Sequence, residues 1–113
     1  MIKTENGINN DYVQLYGINT PGSKLIKYND IIVGMIDYNV TDDYVKIHYI
    51  TVDDKYKRRG IASRVINMIK EKNQNKYMYG DALPGALEFW KSVGAEFDEN
   101  PNGDCLTPFH IDC

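Results

Sequence analysis

Cysteine is scarce in this chain: two among 113 residues, too few for a disulfide framework. If residues 105–113 form a strand, Cys105 and Cys113 stand about 26 Å apart at roughly 3.3 Å per residue, far beyond disulfide reach. Neither has a Cys/His set nearby at metal-ligand spacing, so both read as free thiols and no metal is expected. Long apolar runs are also missing. None approaches the roughly 20 residues needed to span a bilayer, and Met1-Ile2-Lys3-Thr4-Glu5-Asn6-Gly7 has no signal-peptide core, so no membrane partner and a cytoplasmic location are expected. There is no surplus of positive charge. A net charge of −3 argues against a nucleic-acid partner, which needs a broad basic face. Repeats and linkers are absent, and the length suits one domain over residues 1–113.

Tyrosine, by contrast, is plentiful. Nine of them suit sheet surfaces, where a ring packs while its hydroxyl stays wet. The polar, Asn- and Gly-rich residues 1–23 contain one expected strand, Tyr12–Ile18, before the turn at Thr20-Pro21-Gly22-Ser23. Lys24–Tyr28, Asn29-Asp30 and Ile31–Val40 read as a hairpin. Tyr44–Val52 follows as a strand apolar on both faces near its end, which places it centrally. In strict alternation, His48 shares a face with Ile50 and Val52. A helix is expected from about Ile61 to Lys72, with Ile61, Val65, Ile66, Met68 and Ile69 on its apolar stripe. A short strand Lys76–Tyr79, a loop Gly80–Pro84, and a helix Ala86–Val93 closed by Gly94 come next. Ala95–Asp98 and Cys105–Asp112 form a last hairpin across Asn100-Pro101-Asn102-Gly103. The order predicts an α/β layer with a mixed sheet.

One connection carries concentrated chemistry. The strand ending at Val52 leads through Lys57-Arg58-Arg59-Gly60-Ile61-Ala62-Ser63 into a helix. Helix starts leave backbone N–H groups unpaired and partly positive, and glycine lets an anion approach the main chain. Ala62 is small, Ser63 offers a hydroxyl, and three cations flank these donors. The run reads either as a diphosphate cradle or as a solvated basic turn capping a helix.

Residues 50–63, Ile50-Thr51-Val52 through Gly60-Ile61-Ala62-Ser63, resemble the acyl-CoA motif of the GNAT acetyltransferase superfamily, Arg/Gln-x-x-Gly-x-Gly/Ala after a strand with Val about five residues upstream. Lys57 stands where Arg or Gln is usual. Downstream, Ala86-Leu87-Glu88-Phe89-Trp90-Lys91-Ser92-Val93-Gly94-Ala95 resembles the second signature, Ala-x-x-Phe-Tyr-x-x-x-Gly-Phe. The resemblance covers about residues 24–113, with residues 1–23 divergent. It implies a mixed, mostly antiparallel central sheet flanked by helices. Many members carry one or two helices before the first hairpin, but residues 1–23 show no amphipathic pattern of that length, so a reduced N-terminal helical region is expected. The resemblance also implies acetyl-CoA as cosubstrate. Backbone near Ile50 and Val52 would hold the pantetheine arm. The amides of Arg58 to Ser63 would hold the pyrophosphate, flanked by Lys57, Arg58 and Arg59. The central strand and the next would splay to admit the thioester, with Trp90 walling its pocket.

The implied reaction is attack by a neutral amine on the thioester, with a base to take its proton. His48 lies four residues before Val52, where some members carry that base, and histidine changes charge near neutral pH. A half-buried histidine bonded to backbone is the plainer reading. Asp81 is a second candidate, either as base or as anchor for a cationic acceptor. Trp90 replaces a Tyr that often serves as acid, leaving Tyr79, Tyr49 or water. The acceptor is an amine on a protein or a small molecule, polyamine-like amines included because Asp42, Asp43, Asp53, Asp54 and Asp81 could form an acidic rim. A homodimer could complete the acceptor side of the site. Two other readings stand beside this one: a noncatalytic acyl-CoA-binding module, and a nucleotide-phosphate binder, which lacks the Walker and dinucleotide glycine patterns.

Overall fold

The computed structural model describes residues 1–98 and 106–113. Seven strands, β1 Ile2–Asn6, β2 Ser23–Tyr28, β3 Ile31–Val40, β4 Tyr44–Val52, β5 Tyr77–Ala82, β6 Glu96–Phe97 and β7 Thr107–Asp112, form one sheet in the order β1-β2-β3-β4-β5-β7-β6. Every neighbouring pair is antiparallel except β4–β5. That parallel pair requires a crossover, which α2 (Ile61–Lys72) supplies; α1 is Asp11–Gln14 and α3 is Leu87–Ser92. The mixed, mostly antiparallel α/β sheet matches the sequence expectation, and the N-terminal helical region is reduced to one turn.

The first hairpin turns at Asn29 and Asp30, both with positive φ, the backbone that tight hairpin turns demand. One sheet face buries Val45, Ile47 and Val52 against Ile61, Val65 and Trp90 from the helices. The other face holds a smaller cluster of Val13, Leu25 and Met35, with Tyr12 and Tyr49 packed on it.

Four sequence expectations need correction. The strand expected over Tyr12–Ile18 is absent. Asn10 caps the amide of Tyr12 and starts the helical turn α1 instead, since an Asn side chain can satisfy a helix-start donor. The N-terminal strand is β1, which pairs with β2. β5 runs on to Ala82, because β7 pairs with it through Ala82. The expected helix over Ala86–Val93 divides into a 3₁₀ turn at Pro84–Ala86 and the shorter α3. The turn at Asn100–Gly103, like Cys105, lies outside the described residues.

Gly34 faces Val52 across the β3–β4 ladder. A Cβ there would come within 2.2 Å of the Thr51 carbonyl oxygen. Gly34→Ala therefore forces the backbones apart and costs about 2–3 kcal/mol, to be read as a lowered urea midpoint with unchanged slope.

His110 on β7 sits between Asp98 (Nδ1 to Oδ1, 3.1 Å) and Glu96 (Nε2 to Oε2, 3.3 Å), and stacks on Tyr77. The Asp98 hydrogen bond, then the charges of Asp98 and Glu96, raise its pKa above the usual 6.5. A raised histidine pKa stabilises the fold fully below the unfolded value and loses that contribution as pH climbs through the folded one. An NMR titration should place the His110 midpoint above 6.5, and Asp98→Asn should lower it.

Candidate functional site

The site arises where β4 and β5 stop pairing. Their ladder runs from Tyr44↔Tyr77 to Ile47↔Gly80 and ends there, although β4 continues to Val52 and β5 to Ala82. Gly80 permits the last close approach, because a Cβ would meet the Ile47 carbonyl oxygen at 2.8 Å. A cleft of about 780 Å³ fills the space beyond.

A bulge lies at the same level. Across β3–β4, Asp37 pairs with Tyr49 and Tyr38 with Ile47, so His48 is the extra residue. A bulge inverts the alternation of side chains. Val45 and Ile47 thus join Ile50 and Val52 in one cluster, while Tyr49 faces the other. The strict alternation inferred for His48 does not survive this slip. His48 is exposed, with Nε2 2.9 Å from the Asn39 side-chain amide.

Every residue proposed from the sequence lines the cleft except Tyr79 and Arg59. Tyr79 packs on Tyr44 and Tyr77 instead. Arg59 lies 5.4 Å from the Tyr56 ring centroid, in cation–π range. Trp90 is buried, stacks on Phe109 at 4.0 Å and forms part of the wall. Asp81 is exposed on the β5 side of the opening. Lys46, Tyr49 and Tyr56 also line the cleft and were not singled out as cofactor contacts. Their positions on β4 and in the 3₁₀ turn after it were legible, and the splay that the resemblance implied between β4 and β5 is what exposes them.

The loop has the geometry of an anion seat. Arg58 (φ +66) and Gly60 (φ +74) both adopt left-handed backbone, an alternation typical of anion-binding concavities. Gly60 precedes α2 with no side-chain cap, so the first-turn amides of Ile61, Ala62 and Ser63 are left to a ligand. A Cβ on Gly60 would meet nothing within 4 Å, so glycine is required there for its φ, and the space beside it is open. Lys57 pairs with Asp54 at 2.9 Å; that hydrogen bond raises its pKa and keeps the ammonium charged. Tyr12 donates to Asp53, fastening the N-terminal segment to the loop's entrance. Burial and this bond push the Tyr12 hydroxyl pKa upward, so it stays a donor. Among the described residues no group of three or more His, Cys, Asp or Glu could hold a metal ion, and no helix is long and apolar enough to cross a membrane.

Solved structures share this fold at low identity. Arabidopsis thaliana Naa50, in complex with the bisubstrate analogue CoA-Ac-MVNAL, is 18% identical with a TM-score of 0.72, each chain covered to 99%. The Bacillus subtilis N-acetyltransferase YlbP, in complex with coenzyme A, is 14% identical with a TM-score of 0.73; the match covers 100% of this chain and 97% of that one. Tetrahymena GCN5 is 20% identical with a TM-score of 0.65, over 79% of this chain and 66% of its own length, just under two thirds. No curated protein matches the sequence. Residues 4–95 match the acetyltransferase (GNAT) family, and with most of its length inside that match the chain belongs to the GNAT family of acetyltransferases.

Proposed function

We propose that the protein transfers the acetyl group of acetyl-CoA to a primary amine by direct attack in the β4–β5 cleft. The observation that carries this reading is the joining of two features in one cavity: an uncapped, left-handed helix entry with Lys57 and Arg58 beside it, and a strand opening that exposes His48. The residues fit the cosubstrate. The Ile61–Ser63 amides suit its pyrophosphate, and the released edge of β4 at Ile50 and Val52 suits the amide groups of its pantetheine arm.

As the amine nitrogen bonds to the acetyl carbon, the carbon–sulfur bond breaks. His48, directly or through water, takes the amine's proton. The thiolate recovers a proton from solvent or from Tyr49, a β4 residue at the cleft. Asp81 stands across the opening to attract the cationic form of an arriving amine. One observation favours a noncatalytic acyl-CoA binder: the buried Trp90 lacks the proton that a tyrosine there could give.

Incubating the protein with acetyl-labelled acetyl-CoA and host-lysate proteins and small amines, followed by mass spectrometry, separates the two. Label on an amine supports transfer. Calorimetric CoA binding with no label on any acceptor would leave only the binding module.

A further inference from the structure

A second hollow, of about 490 Å³, opens beside the cleft between residues 18–21 and strands β3–β4. Ile18, Thr20, Pro21, Asp37, Asn39 and His48 line it, and only His48 lines both cavities. Charge divides the two. Lys46, Lys57 and Arg58 line the cleft against one acid, Asp81. The hollow has Asp37 and neither lysine nor arginine. The first therefore suits a polyanion, and the second a cation.

Asp37 is fully buried. Its Oδ2 accepts from the Thr20 hydroxyl at 2.7 Å and the Ser23 hydroxyl at 2.6 Å. Its Oδ1 has no hydrogen-bond partner among the described residues. Buried carboxylate oxygens seldom go without a donor, and low local polarity strengthens the field they project. Gly22 packs closely beside these groups: a Cβ there would lie 2.5 Å from the Tyr38 carbonyl oxygen, 2.8 Å from Asn39 Oδ1 and 3.1 Å from Asp37 Oδ1. Since Asn39 Nδ2 is engaged by His48, its Oδ1 remains as an acceptor. Asp37 and Asn39 thus line the hollow with acceptor oxygens, while Ile18 and Pro21 add aliphatic wall.

We propose that this hollow binds a second, non-reacting ammonium group of the acceptor, which makes the preferred acceptor a small aliphatic diamine. The proposal rests on the acetyl-transfer reading. The reacting nitrogen passes His48 into the cleft, and the distal ammonium donates toward Asn39 Oδ1 and offsets the charge of Asp37. A monoamine of equal length makes only the first contact.

The test compares putrescine with n-butylamine as acceptors. Wild-type kcat/KM should favour putrescine by about tenfold or more, the scale of one charge-assisted hydrogen bond. Asp37→Asn should bring the ratio close to one. Pro21→Lys, which sets a cation in the hollow from an exposed position, should do the same and serves if the first variant does not fold. Equal use of both amines by the wild type, transfer to protein lysines but not to putrescine, or a ratio unchanged in the variants would overturn the proposal while leaving acetyl transfer intact. If no amine is acetylated, nitrogen-15 NMR decides. Putrescine-specific shifts at Thr20 and Asn39 would support the hollow as a diamine site although transfer had failed, and their absence would overturn it.

Discussion

His48→Ala lowers kcat/KM for amine acetylation by about a hundredfold to ten-thousandfold, the range that a positioned general base supplies, while CoA binding measured by calorimetry holds. The bulge is the reason. His48 is the extra residue of β4, at the level where β4 and β5 part, and it is the side chain shared by the cleft and the hollow beside it. Asn39 adds control over the ring. The Asn39 side-chain amide lies 2.9 Å from Nε2 and holds the ring's orientation at the bulge. A variant that lost CoA binding along with transfer would place His48 in the structure of the cleft rather than in its chemistry.

Ala62→Glu weakens CoA binding by about a hundredfold or more. Ala62 lies in the first turn of α2, behind Gly60, and lines the cleft. A carboxylate there would repel a phosphate about 5 Å away by roughly 3 kcal/mol at an effective dielectric near 20. It would also compete for the amides the phosphate needs. The fold should persist, because Ala62 is only partly buried and an acid in a first helical turn is favourable. Calorimetry checks the affinity and thermal unfolding the fold. Ala62→Ser, nearly the same size and neutral, should bind as the wild type does.

Much of this architecture was legible in the residues. Tyr44–Val52 emerged as a strand with the observed ends, because β-branched and aromatic residues fill it between turn signals. The basic loop and α2 were equally plain, since Gly60 precedes a stripe of isoleucine and valine at helical spacing. The bulge was not. Alternation read along β4 carries through position 48 without a mark, and only the pairing with β3 shows the slip. β1 and α1 were missed because five and four residues are too few to establish a period. Arg59 illustrates another limit: a count of cations cannot tell which of them, here Lys55 and Arg59, an adjacent tyrosine ring will hold. Asp37 did leave a signal, an acid that directly follows the apolar run Ile31–Ile36 within one strand. Its hydroxyl partners, Thr20 and Ser23, come from a turn that local pattern could not bring to it.

The central claim is that the entry to α2 seats the diphosphate of acetyl-CoA. A nitrogen-15 NMR titration with CoA tests it most directly. The amides of Gly60, Ile61, Ala62 and Ser63 should move most and saturate together, while those of β1 and β6 stay fixed. Saturation that leaves these four amides unmoved, or no response at millimolar CoA, would contradict it.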